Sequence, residues 1–277
     1  MSRLTSYDHD GLTFDVRDEG PLDGDPVVLL HGFPERATAW RKVAPLLHDA
    51  GLRTYAPDQR GYSPGARPGR RRDYRLPHLV GDVVALAETI GRPVHLVGHD
   101  WGAAVGWAVA AQHRELVRTW TAVSVPHPAG FAKAMVTSGQ ALRSWYMGFF
   151  QLPFVPEWLG RTRVFEEWLR GSGMDDESLE RFREEMVADG ALGGGLMWYR
   201  ALPLPGPAPT VGKVRVPTTF VWSDGDVAVD AAGGRHTPDL VDAPYEYVEL
   251  DGVSHWIPTE APEPLTAAIL RRIESVA

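Results

Sequence analysis

The sequence predicts an α/β fold, a mostly parallel sheet flanked by helices and interrupted by an inserted block of helices. Three observations carry this. Short β-rich runs alternate with helical patterns over roughly the first 125 residues, the signature of βαβ units and a parallel sheet. From about Phe131 to Arg200 the chain reads as consecutive aromatic-rich helices. Strands then resume, and an amphipathic helix closes the chain.

In order, "LTFDVRD", "PVVLLHG" and "RTYAPD" read as strands, followed by a helix in "HLVGDVVALAETIG". A strand in "PVHLVG" leads to a helix in "AAVGWAVAAQHREL" and a strand in "RTWTAVSV". After "VPHPAG" come the helical runs "LRSWYMGFF", "TRVFEEWLRG", "DESLERFREEMVADG" and "GGLMWYRAL". Pro203, Pro205, Pro207 and Pro209 forbid regular helix and predict an extended return to the core. "PTTFVWS" and "YEYVEL" are the last strands, and "EPLTAAILRRIESVA" is the closing helix. The domain plan is therefore core (1–127), helical lid (128–210) and core again (211–277).

Composition excludes several classes. At 277 residues the chain supports one large domain, and no apolar run approaches the roughly 20 residues that span a bilayer. The polar start "MSRLTSYDHDGLTFDV" lacks a secretory pattern, which predicts a cytoplasmic protein. The absence of cysteine removes disulfides, thiolate metal sites and a cysteine nucleophile. A formal charge of −8 disfavours nucleic acid, and the local basic run "RPGRRRDYR", Arg67 to Arg75, is expected to be a solvated loop.

The chemistry centres on "GHDWG", Gly98 to Gly102. Its G-x-nucleophile-x-G spacing, after an apolar strand and at the start of a helix rich in small residues, is that of a nucleophile elbow. The presented residue is Asp100, where an esterase carries serine. A carboxylate is already ionised at neutral pH and suits displacement at a saturated carbon, giving an alkyl ester that water can cleave at its carbonyl carbon. Taken alone, an aspartate there also reads as an N-cap in a tight turn, the lesser of the two readings.

The second step needs a base and an oxyanion hole. His255 in "LDGVSHWIP" follows the last strand, where the chain order nucleophile, acid, histidine places a base. Asp226 in "VWSDGDVAVD" is the acid that orients it, with Asp224 as the rival. Backbone N–H groups of Trp101 and of Phe33 in "HGFP" are the expected oxyanion donors. His95 and His99 belong to the elbow strand and lack a third ligand for a metal, and His99 has no assigned role.

Taken together, "HGFPE", "APDQRGYS", "VGHDWGA", "WYMGFFQLP", "MWYRALP", "WSDGD" and "SHW" resemble the α/β-hydrolase superfamily, and within it the epoxide hydrolases, over nearly the whole chain. The resemblance implies an eight-stranded sheet with a helical lid, no cofactor, and cleavage of an epoxide to a diol. It also implies that two lid tyrosines, Tyr146 and Tyr199, donate hydrogen bonds to the epoxide oxygen. Phe33, Pro34, Trp101, Phe150, Gln151 and Trp256 are the expected pocket, which implies a small apolar epoxide and water as reactants, and a monomer or homodimer. One departure is Ser223-Asp224-Gly225-Asp226, where the family often has glycine at the first position.

Other functions share parts of this pattern. A haloalkane or haloacid dehalogenase uses the same aspartate, but Phe33 stands where haloalkane dehalogenases commonly carry asparagine and Trp101 where fluoroacetate dehalogenases usually carry arginine. A noncatalytic ligand-binding relative would be expected to have lost part of the constellation. A serine hydrolase lacks its G-x-S-x-G.

Overall fold

The computed structural model describes residues 2–204 and 211–276. Eight strands, β1 (Ser6–His9), β2 (Leu12–Glu19), β3 (Asp25–Leu30), β4 (Leu52–Pro57), β5 (Val94–His99), β6 (Val117–Val123), β7 (Thr218–Ser223) and β8 (Tyr245–Leu250), form one sheet in the order β1-β2-β4-β3-β5-β6-β7-β8. β2 runs antiparallel to β1 and β4, and every later pairing is parallel.

The central strands are apolar on both faces because helices cover both, so their side chains alternate between two cores. Val27 and Leu29 of β3 pack with α1 (Val43–Asp49) and α13 (Pro262–Glu274), through Leu47, Leu265 and Ile269. Val28 and Leu30 face the other way, into the core built by α2 (Leu76–Ile90) and α3 (Trp101–Gln112), through Leu79, Leu86 and Trp107. Gly91 ends α2 in the left-handed conformation, φ 79°.

Between β6 and β7 the chain leaves the sheet for α4 (Pro128–Thr137), α5 (Gln140–Arg143), α6 (Trp145–Phe149), α7 (Val155–Leu159), α8 (Arg163–Gly171), α9 (Asp176–Arg181) and α10 (Leu192–Ala201). The run "DESLERFREEMVADG" is α only to Arg181 and then a π-helical turn, Phe182–Ala188. After β7 and β8 come the short helices α11 (Ala231–His236) and α12 (Ile257–Glu260). α4 packs against α11, so the first helix of the insertion lies on the core.

Three expectations need correction. β1 is absent from the predicted strands; it pairs with one edge of β2, which gives its four residues too little length to show a pattern. α3 stops at Gln112 and not at Leu116, because Arg114 to Leu116 turn to feed β6. The basic run from Arg67 to Arg75 is only in part a solvated loop: Arg70, Arg71 and Arg72 are exposed, but Arg67 donates to the Asp189 carboxylate at 2.5 Å and Arg71 to the Arg200 carbonyl at 3.0 Å. Of the four prolines expected to extend the return, Pro205, Pro207 and Pro209 lie outside the described residues.

Close approach of α3 to the sheet rests on its small residues. A Cβ at Gly106 would overlap the Trp120 indole, itself fully buried in β6. Gly106→Ala is therefore expected to lower stability by about 1–3 kcal/mol through overpacking, and urea unfolding with an unchanged denaturant slope would register it.

Candidate active site

Asp100 sits between the last residue of β5 and the first of α3, with φ 51° and ψ −118°, a backbone state that residues bearing a Cβ rarely adopt. Glycines make the turn possible. A Cβ at Gly98 would lie 2.5 Å from the Gly102 carbonyl oxygen, and one at Gly102 would overlap the Leu30 carbonyl. A Cβ at Gly32 would overlap the Asp100 side chain itself. The elbow thus presses its carboxylate onto the loop after β3, where the Phe33 N–H donates to Asp100 Oδ1 at 2.8 Å. Trp101 is the first residue of α3, and its amide is among those a helix start leaves without an intrahelical acceptor.

The loops after β7 and β8 bring the other charges in. His255 Nε2 lies 3.7 Å from Asp100 Oδ2, and His255 Nδ1 is 2.7 Å from Asp226 Oδ2. The Asp226 side chain is wholly buried, and its Oδ1 accepts the Ala228 and Val229 N–H groups at 2.8 and 2.9 Å. Arg143 of α5 reaches down to the Asp226 carbonyl at 2.7 Å. Asp224, the rival, is exposed and accepts the Gly252 N–H, away from the histidine.

Burial alone would push the His255 pKa down. The Asp226 and Asp100 carboxylates outweigh it and hold the imidazole near 10, as an imidazolium. Burial would likewise raise Asp100, but the positive His255 ring 3.7 Å away keeps it below the ordinary aspartate value and ionised.

His99, the last residue of β5, supports this pair from behind. Its Nε2 donates to the His255 carbonyl at 2.9 Å, and Ser124 Oγ donates to the same oxygen at 3.1 Å. Burial, reinforced by the positive charge of His255, drops the His99 pKa to about 4, so it is neutral and carries its proton on the nitrogen that meets the carbonyl. His95 instead meets Thr119 Oγ1 at 2.8 Å, so the two histidines of the strand serve separate partners. Sequence spacing offers no signal for the His99 contact, because it closes a loop of 156 residues.

A carboxyl that the sequence left unassigned flanks the site. Glu35 follows Pro34, and burial lifts its pKa to about 7, with Arg41 and His255 opposing. It borders a small void with Pro34, Thr38 and Phe182. Its place at the end of "HGFPE", directly after the loop that touches Asp100, was the available clue.

Above the carboxylate, Tyr146 of α6 and Tyr199 of α10 stand with ring centroids 6.1 Å apart. Burial and then the negative charge of Asp100 push both phenols up, so they remain protonated donors. Two cavities meet here, of about 540 and 170 Å³, and Asp100, Tyr146 and Tyr199 line both. Phe33, Pro34, Phe150 and Trp256 wall the larger and Trp101 the smaller.

Gln151 lines neither cavity, against expectation. Its Nε2 donates to the Met147 and Tyr199 carbonyls at 3.1 and 2.8 Å, which ties the two tyrosine-bearing helices together. An amide with two donors serves carbonyls of both helices at once, so packing demand drew it away from the wall.

The sequence profile of the alpha/beta hydrolase fold family matches residues 25–262. The chain is 32% identical over 278 residues to an AB hydrolase superfamily protein, YfhM, of Bacillus subtilis, covering 96% of each chain. It is 30% identical to Epoxide hydrolase A of Mycobacterium tuberculosis, over 95% of this chain and 94% of that one. Among solved structures it is similar to epoxide hydrolase VrEH1 from Vigna radiata, with a TM-score of 0.82, 30% identity, and 98% and 97% of the two chains covered. The eight-stranded sheet, the elbow and these likenesses agree: the chain belongs to the α/β-hydrolase fold family, in the branch that holds the epoxide hydrolases.

Proposed function

We propose that the chain hydrolyses an apolar epoxide to a vicinal diol without a cofactor, as a cytoplasmic monomer or homodimer. One observation carries the reading: an ionised carboxylate, Asp100, faces two neutral phenols, Tyr146 and Tyr199, across one cavity with His255 and Asp226 behind it. The meeting of two cavities at Asp100 supports an epoxide with an apolar group on each side of the ring. The helical insertion acts as the lid that brings the tyrosines over the carboxylate.

In the first step Asp100 attacks an epoxide carbon, a C–O ester bond forms, the ring C–O bond breaks, and the leaving oxygen takes a proton from Tyr146 or Tyr199. Ester formation removes the negative charge that helped hold His255 protonated, so the imidazolium gives up its proton, which restores the tyrosine. In the second step neutral His255 takes a proton from water, and the resulting hydroxide attacks the ester carbonyl. Phe33 and Trp101 N–H groups hold the oxyanion; as it collapses the ester C–O bond breaks, the leaving alkoxide takes the proton of the added hydroxyl, and the diol departs. The cycle returns Asp100 ionised and His255 protonated, so charge and atoms balance.

The decisive experiment is a panel of epoxides, styrene oxide among them, offered to wild type and Asp100→Ala. Diol should form with wild type alone, and no diol from a broad panel would overturn the reading. His255→Gln should still be alkylated but lose its ester about 10²–10⁴ times more slowly, so intact-protein mass spectrometry should find substrate mass on Asp100. Tyr146→Phe and Tyr199→Phe should each slow alkylation by about 10²-fold in single-turnover kinetics, and unchanged rates in both would move the donor role elsewhere.

The raised His255 pKa also fixes a pH dependence. Its folded value, about 10, lies above the unfolded imidazole value, so its stabilising contribution is complete below the unfolded pKa of about 6.5 and fades as pH rises toward 10. Asp226→Asn should move His255 back toward the ordinary imidazole range, seen by NMR titration of its ring protons. The stability gap between the two proteins should be largest at low pH within that window and narrow as pH rises.

A further inference from the structure

Of the thirteen exposed large apolar side chains among the described residues, nine lie between Val136 and Trp168. Phe154 and Leu142 are each 82% exposed and Trp158 is 67% exposed, with Trp145, Val164 and Trp168 also open. Burying none of these in the fold is costly for a monomer in water, and an apolar cluster of this kind marks a contact surface. Phe154 stands on a left-handed backbone, φ 63°, a strained state used here to present an aromatic ring outward.

The patch is also the doorway. Leu142, Trp145 and Trp168 are exposed on the outside and line the cavity that ends at Asp100. A third cavity of about 150 Å³ opens beside it between α6 and α8, lined by apolar side chains that include Trp145, Val164 and Trp168.

Charge selects the occupant. Residues 131–171 carry Lys133, Arg143, Arg161, Arg163 and Arg170 against Glu157, Glu166 and Glu167, a net +2 in a chain of net −8. The acids are matched inside the protein, Glu157 by Arg200, Glu166 by Arg183 and Glu167 by Arg170. Arg143 lies near Asp230 and Arg170 near Asp176, whereas Arg161 and Arg163 are exposed and form no salt bridge among the described residues. A second copy would bring a like-charged rim against this one. An anionic lipid surface supplies both what the tryptophans and phenylalanine favour at a membrane interface and direct partners for the two arginines, which feel Glu157 and Glu166 only at a distance, without a salt bridge.

We propose that the face formed by α6, α7 and α8 seats the protein on the surface of an anionic bilayer, so that the cavity mouth opens toward the apolar phase. The contact is peripheral: no helix among the described residues is long and apolar enough to cross a membrane. The docking itself stands apart from the reaction assigned above; only its purpose, capture of an apolar epoxide from lipid, rests on that reading.

The test uses the full chain with vesicles of phosphatidylcholine alone and of phosphatidylcholine with phosphatidylglycerol. Flotation should recover the protein with the anionic vesicles, with a blue shift of tryptophan emission. Phe154→Glu with Trp158→Glu should abolish recovery and leave turnover of a water-soluble epoxide unchanged, because neither residue lines any of these three cavities. Arg161→Gln and Arg163→Gln should each weaken partitioning about fivefold at low salt. Absence of partitioning, or equal recovery with both vesicle types, would overturn the proposal. So would a solution dimer that Phe154→Glu with Trp158→Glu separates in analytical ultracentrifugation, since the face would then be covered by a second copy. Failure of epoxide turnover with intact vesicle binding would count against the reaction and leave the docking standing.

Discussion

The left-handed turn at Asp100 is the constraint from which the rest of the site follows. A residue with a Cβ is held at φ 51° only where its surroundings determine it, and here they do so from three sides. Gly98 and Gly102 let the strand and helix close on each other, while Gly32 lets the neighbouring loop come up against the carboxylate. The same approach sets the Phe33 N–H on Asp100 Oδ1 and leaves Oδ2 turned toward His255. Strain, carboxylate orientation and the Phe33 amide contact are therefore one geometric fact, and a side chain at any of the three glycines disturbs all of them.

Burial and pairing compete throughout this site, and the winner differs from group to group. For His255 two carboxylates overcome the cost of a buried cation; for His99, one residue before Asp100 and packed against His255, nothing does, and it stays neutral. Two imidazoles with centroids 4.9 Å apart could not both be charged, so neutrality of His99 is the condition under which His255 carries the proton. The neutral ring then uses its one N–H to hold the His255 backbone. Asp226 is anchored by the Ala228 and Val229 amides, so the charge that orients His255 is itself fixed by the chain.

Local pattern made the sheet and the elbow legible, because each is encoded within a few residues: apolar runs bounded by turns, and glycines spaced about Asp100. The eight strands were foreseen as a count, although β1 was too short to locate. His255 and Asp226 were nameable from chain order, and the choice against Asp224 becomes visible only where one aspartate is buried against the ring and the other is exposed on the Gly252 turn. Gln151, Ser124, Arg143 and the His99 contact were beyond reach. Each acts on a backbone carbonyl far away in sequence, and a backbone carbonyl has no residue identity for a pattern to register.

The helical insertion holds two phenols over the carboxylate, yet much of its outer face is apolar, with exposed Phe154, Trp158 and Leu142. Its hold comes from below. Arg36 donates to both Asp58 of the core and Asp189 of the insertion, and Arg67 meets that same Asp189. Thr38 donates to Glu185, Arg41 to Glu177, and Lys42 to Asp175. On the other side the Trp198 indole N–H donates to the Arg60 carbonyl, next to Tyr199 in α10. Directional polar contacts of this kind fix register more than they add stability, since exposed ion pairs contribute only about 0–1 kcal/mol each. The division of labour is thus physical: the polar underside sets where Tyr199 stands, and the apolar upper side is left unmatched within the protein.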